Sequence, residues 1–270
     1  MPQAKGYVDI GYLQVTAKVT EDVKRRSYTL MGIRPGHRVL DLGCGPATDT
    51  LALARLTTDS GEVVGVDYDQ AMIAEADKAA AQAGLRPCVK HVQADASSLP
   101  FESGSFDSSR SERLLQHLSH PERTLSEMVR VTKPGGWIVV LDTDWGSGSI
   151  DSPHVEIERR IVRVHADRCL NSGYSGRQLY RLFRQQGLLD IVVEAFSLPV
   201  LNYALARQIG RFDEAEAEAL SSGVVSSDEL DTWRAGLQQA DADGVFFASV
   251  TLVLVAGRTP VGEPQANEAN

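Results

Sequence analysis

Three aspartates stand at the ends of three apolar segments of the chain, where a carboxylate can bind a ligand. Asp41 precedes a Gly-Cys-Gly turn in V-L-D-L-G-C-G-P, Asp67 ends the segment G-E-V-V-G-V-D, and Asp95 lies in Q-A-D-A-S-S-L-P-F. A carboxylate beside a glycine turn stabilises a ligand with a positively charged group, such as an ammonium or a sulfonium. A carboxylate at the position of Asp67 can accept hydrogen bonds from both hydroxyls of a ribose. The pattern therefore predicts a site for a cationic ligand that contains a ribose.

The glycine turn lets the backbone approach a ligand closely, as in many nucleotide sites. A dinucleotide site would place a third glycine at position 48, where this chain has Thr48, and Pro46 directly follows Gly45. With Asp41 two residues before Gly43, the loop is also less suited to an anionic diphosphate. These residues disfavour a nicotinamide-dependent reductase, which remains an alternative.

The aspartates must be positioned by a parallel sheet, because the carboxyl ends of parallel strands meet at one edge. Apolar segments alternate with helical ones along most of the chain, which predicts an α/β, Rossmann-like fold with a seven-stranded, mostly parallel sheet and helices on both faces. The predicted strands are 38–42, 63–67, 88–93, 106–109, 137–142, 191–197 and 245–256. Helices are predicted over 11–31, 48–56, 70–83, 111–131, 177–186, 203–220 and 226–240.

Composition excludes several classes of function. The formal net charge of -9 opposes attraction to a phosphate backbone, so no nucleic acid partner is expected. No apolar run approaches the roughly 18 residues of a membrane helix, and no secretory signal is recognised, so we expect a cytoplasmic protein without a membrane partner. The cysteines Cys44, Cys88 and Cys169 are far apart, which predicts reduced thiols and no metal site.

Five ordered segments together resemble one enzyme family. They are V-L-D-L-G-C-G-P, V-V-G-V-D-Y-D-Q-A-M, A-D-A-S-S-L-P-F, S-F-D-S-S-R-S-E-R-L-L-Q-H-L and V-T-K-P-G-G-W-I-V-V. The chain resembles the class I S-adenosylmethionine-dependent methyltransferases over residues 32–187, in particular the small-molecule branch with the ubiquinone, menaquinone and natural-product methyltransferases. The resemblance implies S-adenosyl-L-methionine as the cofactor and a small molecule as the methyl acceptor. A cofactor-binding protein without catalytic activity is an alternative.

The resemblance also implies roles for individual residues. Gly43 and Gly45 would lie against the methionine part of the cofactor, Asp67 would bind the ribose diol, and Asp95 with the Ala96 backbone would bind the adenine. Asp41 would lie near the cationic end of the cofactor. The predicted cofactor contacts are completed by Cys44, Tyr68, Met72, Ser111 and Tyr12. At position 47, where many relatives have another glycine, this chain has an alanine.

Four parts of the chain are predicted from these patterns. Residues 1–31 form an N-terminal helical lid, which in relatives folds over the cofactor. Residues 32–198 and 244–258 form the cofactor-binding core, and residues 199–243 form a helical insertion that shapes the acceptor pocket. Residues 259–270 have too few apolar side chains to fold and are expected to be a disordered tail. The protein is expected to be a monomer or a homodimer.

Methyl transfer needs an acceptor atom held in line with the methyl group and the leaving sulfur, so positioning supplies much of the rate. A hydroxyl acceptor also benefits from a base, and the candidates are His117, His165 and Asp144. An enolate or activated carbon acceptor needs no base. Trp145 could stack on a flat ring.

The predicted insertion carries apolar side chains that suit a hydrophobic acceptor. They are Leu201, Tyr203, Ile209, Phe212 and Trp233. The same side chains could instead pack into the core. The acidic run over 213–219 is expected to be a solvated helix face. We therefore expect a small apolar or aromatic metabolite as the acceptor.

Overall fold

The structure of the protein is a computed structural model that describes residues 8–85 and 87–261. Its seven strands form one sheet in the order β3-β2-β1-β4-β5-β7-β6. They are β1 Arg38–Leu42, β2 Glu62–Asp67, β3 Val89–Gln93, β4 Phe106–Glu112, β5 Thr132–Ile150, β6 Leu189–Val200 and β7 Ala248–Arg258. β1 to β5 pair in parallel, whereas β7 is antiparallel to both β5 and β6. The predicted Rossmann-like, mostly parallel sheet is confirmed.

Ten α-helices surround the sheet within the described residues. They are α1 Ile10–Val19, α2 Glu21–Leu30, α3 Thr48–Thr57, α4 Gln70–Gln82, α5 Pro121–Val131, α6 Val155–Val164, α7 Ser175–Gln185, α8 Tyr203–Ile209, α9 Phe212–Ser221 and α10 Ser227–Ala242. A 3-10 turn covers Leu115–His117, and a π-helical turn covers His165–Cys169. Across this part of the chain, no helix is both long and apolar enough to cross a lipid bilayer.

Three helix predictions differ from the structure. The segment 111–131 is not one helix, because Ser111 and Glu112 belong to β4 and the helix begins only at Pro121, which suits the first turn. The segment 203–220 is two helices, because Arg211 has a left-handed backbone with φ of 51°. The amphipathic helix α6 was not predicted.

The strand β5 is much longer than the predicted 137–142 because its second half pairs with β7. Ser149 lies opposite Ser249 of β7, and Pro199 of β6 lies on the other side of Ser249. The strands β5, β7 and β6 therefore continue as an antiparallel extension past the ends of β1 to β4. This extension is the surface on which the helices α6, α8, α9 and α10 pack.

Two cores follow from this arrangement. One lies around the sheet and includes Leu40, Val64 and Val140. The other lies under the helices on the strand extension and includes Ile161 of α6 with Trp233 of α10. The helix α6 therefore shares a core with the helices of the predicted insertion 199–243, although it precedes that insertion in sequence.

The helix α2 is attached to the sheet side of the molecule by ion pairs. Lys24 Nζ lies 2.8 Å from Asp49 Oδ2 and 2.9 Å from Glu112 Oε2. Arg26 Nε donates to both carboxylate oxygens of Glu194 on β6 at 3.0 Å. These contacts hold α2 against α3, β4 and β6.

The two predicted ends of the chain are only partly described. Residues 1–7 of the predicted lid and residues 262–270 of the predicted tail lie outside the described residues. The division of the chain into lid, core, insertion and tail stays a prediction. The helix α10 begins with a capping box, in which Ser226 Oγ accepts from Glu229 N and Glu229 Oε2 accepts from Ser226 N.

Candidate cofactor and acceptor site

The glycine turn after β1 has a backbone that requires glycine. Gly43 and Gly45 have φ of 77° and 50°, in the left-handed region. The N–H groups of Gly43 and Cys44 both donate to the carbonyl of Val66, at 2.7 and 3.0 Å, which ties the turn to β2. A Cβ at Gly43 would lie 3.1 Å from Leu114. The turn therefore brings bare backbone to the carboxyl edge of the sheet.

Asp67 is fixed at the end of β2 by two backbone groups. Its Oδ2 accepts from Gly45 N at 2.9 Å and its Oδ1 accepts from Asp69 N at 3.0 Å. Burial raises the pKa of this carboxyl above its ordinary value, against the lowering effect of those two hydrogen bonds. Each carboxylate oxygen keeps a further lone pair, so the group can still accept from two hydroxyls.

Asp41 is buried beneath the glycine turn and its charge is already balanced. Its Oδ1 lies 3.2 Å from Arg110 Nη1 on the neighbouring strand β4. Burial raises the pKa of Asp41 to about 7, and the Arg110 charge opposes that rise. Asp41 is therefore paired with Arg110 through one oxygen, and its place near the cationic end of the cofactor stays a prediction.

Two polar atoms at this edge lack a hydrogen-bond partner among the described residues. They are Oδ2 of Asp41 and Oγ of Ser111, both buried at the ends of the neighbouring strands β1 and β4. Buried polar atoms are almost always paired, so each such atom needs an explanation. A bound polar ligand at the strand ends would supply the missing partners.

A network of charged side chains lies below the site and was not anticipated. Arg110 is fully buried, and its guanidinium lies 3.1 Å from Asp49 Oδ2 and 2.8 Å from Glu112 Oε2. Lys24 joins the same two carboxylates, and Tyr28 donates to Asp49. Although burial raises the pKa of Asp49, the charges of Arg110 and Lys24 hold it well below its ordinary value. The signal in the sequence was the pair of charges inside the strand segment S-R-S-E.

The predicted adenine side is more open. Asp95 is exposed, and its Oδ1 accepts from the N–H and the hydroxyl of Ser97 at 2.7 and 2.8 Å. Ala96 is half-buried and Met72 is buried, whereas Tyr68 is 78% exposed. The contacts assigned to these four residues stay predictions.

An apolar cavity lies next to this edge, between the strand extension and the helices α1, α6, α8, α9 and α10. It encloses about 850 Å³, including its opening to solvent. Two aromatic pairs form part of its walls: Trp145 with His165, at 4.6 Å between ring centroids, and Phe212 with Trp233, at 6.0 Å. The polar residues Arg113 and Thr143 line it as well. Its mostly apolar lining with a few polar groups is that of a site for a small organic molecule.

Tyr12 lines the cavity, and it lies on the helix that also covers the glycine turn. Its hydroxyl donates to the carbonyl of Ile209 at 3.2 Å, which joins α1 to α8. The next residue, Leu13, lies over the turn, since a Cβ at Gly45 would be 3.3 Å from it. The helix α1 therefore covers both the glycine turn and the cavity.

Of the three predicted bases, only His165 lines this cavity. Its Nε2 is buried and has no partner among the described residues. Burial, aided by the charge of Arg211, lowers the pKa of His165 to about 4, so the imidazole is neutral at pH 7. Its place at the start of a π-helical turn is typical of functional positions.

The other two predicted bases have different surroundings. His117 is not among the described residues that line the cavity, its Nε2 contacts Gln116 Nε2 at 3.0 Å, and burial lowers its pKa to about 4. Both carboxylate oxygens of Asp144 accept from Arg177 Nε at 2.8 Å. Asp144 is paired with Arg177 and is not among the described residues that line the cavity, and its role as a base stays a prediction.

Of the five apolar residues predicted to form the acceptor pocket, three line the cavity. Ile209, Phe212 and Trp233 line the cavity. Leu201 is 70% exposed, and Tyr203 packs on Phe246 at 5.4 Å between ring centroids. Neither Leu201 nor Tyr203 is among the described residues that line the cavity.

Comparisons with known proteins agree with this fold and site. The family described as a methyltransferase domain matches residues 40–140. An uncharacterised 37.1 kDa protein in transposon TN4556 of Streptomyces fradiae is 35% identical over 257 residues, which cover 93% of this chain and 72% of that protein. The demethylmenaquinone methyltransferase of Beutenbergia cavernae is 40% identical over 119 residues, which cover 44% of this chain and 46% of that enzyme. The chain therefore spans about half the length of that relative.

A solved structure has the same fold. The YcgJ protein of Bacillus subtilis superposes with a TM-score of 0.65 at 22% sequence identity, covering 90% of this chain and all of that one. Residues 40–140 therefore form a class I S-adenosylmethionine-dependent methyltransferase domain. Its cofactor is S-adenosyl-L-methionine. These matches give no support to a nicotinamide-dependent reductase.

The residues at the strand ends fit this cofactor. The glycine turn presents backbone without side chains at the strand ends, and each carboxylate oxygen of Asp67 keeps a lone pair that can accept from a hydroxyl. The unpaired Asp41 Oδ2 and Ser111 Oγ call for a polar ligand. The described residues contain no group of three or more side chains suited to a metal ion.

Proposed function

We propose that the protein transfers a methyl group to a hydroxyl of a small, apolar or aromatic molecule bound in the cavity beside the glycine turn. The observation that carries this proposal is the cavity itself, which is lined by aromatic and aliphatic side chains and opens next to the carboxyl ends of β4 and β5. A site with this lining suits a small organic ligand.

The chain's own residues hold and orient the reactants. Gly43, Gly45 and Asp67 would hold the cofactor, and Tyr12 on α1 would cover it and keep water out. When bound, S-adenosylmethionine supplies a methyl group whose bond to sulfur breaks as the acceptor oxygen bonds to the carbon, with the electron pair left on sulfur. The hydroxyl proton passes to Nε2 of His165 and from there to water.

The neutral state of His165 supports this role. Because burial lowers its pKa to about 4, the imidazole has an unprotonated nitrogen at pH 7 that can accept a hydrogen bond from a hydroxyl. That bond aims a lone pair of the acceptor oxygen toward the methyl group. Orientation of this kind is a large part of the rate of such displacements.

A blocked cavity tests the proposal. The variant Val250→Phe places a ring in the cavity from β7, and the matched control Val193→Phe places the same ring on the exposed side of β6. We expect Val250→Phe to bind S-adenosylhomocysteine as the wild type does but to lose methylation of hydroxylated aromatic molecules, as followed by mass spectrometry. Val193→Phe should keep that activity. Equal activity of the two variants would contradict the assignment of the cavity.

We propose as well that the protein has no nucleic acid partner. The net charge of -9 supports an acceptor that is a small molecule and not a nucleic acid. A failure of the wild type to methylate any molecule in a broad acceptor screen, with S-adenosylhomocysteine still bound, would favour a protein that binds the cofactor without catalysis.

A further inference from the structure

Two nitrogen atoms in the cavity wall have no hydrogen-bond partner among the described residues. They are Nε2 of His165 and Nε1 of Trp233, and both are buried. They belong to different walls, since His165 packs edge-on against Trp145 and Trp233 packs against Phe212. Buried polar groups without partners are costly and rare, so a cavity with two of them is suited to a ligand that pairs with both.

The missing partner of Trp233 is not supplied by Glu216, a buried carboxylate of the same helical unit. Glu216 is fully buried on α9, but its Oε1 accepts from Arg207 Nη1 at 2.7 Å and its Oε2 accepts from Arg234 Nε at 2.8 Å. The indole ring of Trp233 is itself fully buried and cannot turn to water. Its N–H is therefore held in place without a protein acceptor.

The two nitrogens differ in the groups they can recognise. The indole N–H is a donor only, so its partner must be an oxygen or nitrogen that accepts. A neutral imidazole nitrogen can accept from a hydroxyl. The indole Nε1 of Trp145, the residue that contacts His165, donates to Gln116 Oε1 at 2.8 Å, just past the end of β4. The His165 wall is therefore the one joined to the cofactor edge, and Trp233 lies on the wall formed by the insertion.

We propose that the methyl acceptor carries two separated oxygen groups on a flat apolar frame, the reacting hydroxyl toward His165 and a second, accepting oxygen on the N–H of Trp233. This inference rests on the proposed function, since it names the acceptor class of the same cavity. The Trp233 bond acts as a positioning contact at the far end of the acceptor. Molecules with only one oxygen can enter the cavity but lose that contact.

A pair of probes that differ by one oxygen tests the inference. The probes are 2-naphthol and naphthalene-2,6-diol, titrated by calorimetry into the protein saturated with S-adenosylhomocysteine. In the wild type we expect the diol to bind about 10-fold more tightly than 2-naphthol, as one hydrogen bond to a buried group allows. In Trp233→Phe, which keeps an aromatic ring but removes the N–H, the diol should lose that advantage while 2-naphthol binds as before. The matched control Trp137→Phe lies on β5, and Trp137 is not among the described residues that line the cavity, so this variant should still bind the diol more tightly than 2-naphthol.

A second measurement does not depend on a folded Trp233 variant. The protein has three tryptophans, so its indole N–H signals are few enough to assign in a spectrum of nitrogen-15-labelled protein. The Trp233 signal should move on addition of the diol and much less on addition of 2-naphthol. A signal that moves equally with both probes, or a Trp233→Phe variant that weakens both probes equally, would overturn the two-oxygen inference.

Different results contradict the proposed hydroxyl methylation and the proposed recognition of two oxygens. If the wild type prefers the diol through Trp233 but methylates neither probe, the proposed hydroxyl methylation is contradicted and the two-point recognition stands. If it methylates both probes equally well and Trp233→Phe does not distinguish them, the methylation stands and the two-point recognition is contradicted. Replacing His165 with phenylalanine should reduce kcat for both probes, because both present their reacting hydroxyl to it.

Discussion

The guanidinium of Arg110 lies 3.2 Å from the carboxylate of Asp41, on neighbouring strands and directly beneath the glycine turn. The same guanidinium contacts Asp49 and Glu112, so one buried cation holds three carboxylates. A strand residue thus pairs with the aspartate before the glycine turn, and the cofactor edge rests on a compact ionic cluster. This relationship has consequences for stability as well as for the site.

Replacing Arg110 with methionine should strongly destabilise the protein. The substitution leaves the carboxylates of Asp41, Asp49 and Glu112 with Lys24 and Arg113 as the remaining paired cations, and loss of one partner of a buried ion pair typically costs about 3–5 kcal/mol. Chemical denaturation measures the change in the free energy of unfolding. The control Arg25→Met removes an arginine whose side chain is 63% exposed, and it should change that energy by less than about 1 kcal/mol. Similar losses in both variants would contradict the network.

Replacing His165 with phenylalanine should change how stability depends on pH. The pKa of His165 is about 4 in the folded protein, against about 6.5 in the unfolded chain. Between these values the unfolded chain binds the proton and the folded protein does not, so the free energy of unfolding rises with pH over that window. The wild type should therefore lose up to about 3 kcal/mol relative to the variant as the pH falls from 6.5 to 4. Denaturation curves of both proteins across that pH range test whether the imidazole is neutral in the folded state. Parallel pH profiles of the two proteins would contradict it.

Replacing Asp67 with alanine should weaken S-adenosylmethionine binding by about 10- to 100-fold without unfolding the protein, because two hydrogen bonds to the carboxylate are lost. Asp67→Asn should lose less, since its carbonyl oxygen can keep one bond. Calorimetric titration measures both affinities, with a nicotinamide dinucleotide titrated into the wild type as the cofactor control. Unchanged affinity in Asp67→Ala would remove the ribose assignment.

Cofactor binding should order the first helix of the predicted lid more than the second. The helix α2 is already held by Lys24 and Arg26, whereas α1 covers the glycine turn mainly through Tyr12 and Leu13. Hydrogen exchange over α1 should therefore slow on addition of S-adenosylhomocysteine, and exchange over α2 should be slow before and after. Equal slowing of both helices, or of neither, would contradict a lid restricted to α1.

Replacing Glu216 with alanine should destabilise the helical insertion while leaving the cofactor site intact. The variant leaves Arg207 and Arg234 without their buried carboxylate, a loss typically of about 3–5 kcal/mol. Binding of S-adenosylhomocysteine should stay within a few-fold of the wild type at a temperature where the variant is folded. The exposed neighbour Glu214→Ala provides the matched control, and loss of cofactor affinity in Glu216→Ala alone would place the insertion in the cofactor site.

Residues that act through the local backbone were predictable from the sequence. Short-range patterns predicted the glycine turn, the position of Asp67 at the end of β2 and the succession of strands along the chain. Turn conformation and strand periodicity depend on adjacent residues. The capping box of α10 was predictable for the same reason, since Ser226 and Glu229 lie three residues apart.

Charged residues inside the fold were not predictable in the same way. From the sequence, Arg110 falls just past the predicted strand 106–109 and Glu112 falls in the predicted helix 111–131, because a charge inside a buried strand is costly unless other elements supply its partners. Likewise, the run 213–219 was expected to be solvated, but Glu216 is fully buried. Its partners Arg207 and Arg234 lie on α8 and α10, which only the packing of the insertion brings together.

The sequence by itself determined the cofactor class and the sheet that positions it, because those depend on ordered local motifs. Only the tertiary structure distinguished His165 from His117 and Asp144, since the three are equivalent as residue types and differ only in their neighbours. The acceptor cavity was likewise decided by long-range pairing. It exists because β5 continues along β7 past the cofactor edge, and strand length there depends on a partner more than 100 residues away in the chain, as in the pairing of Asp142 with Val253.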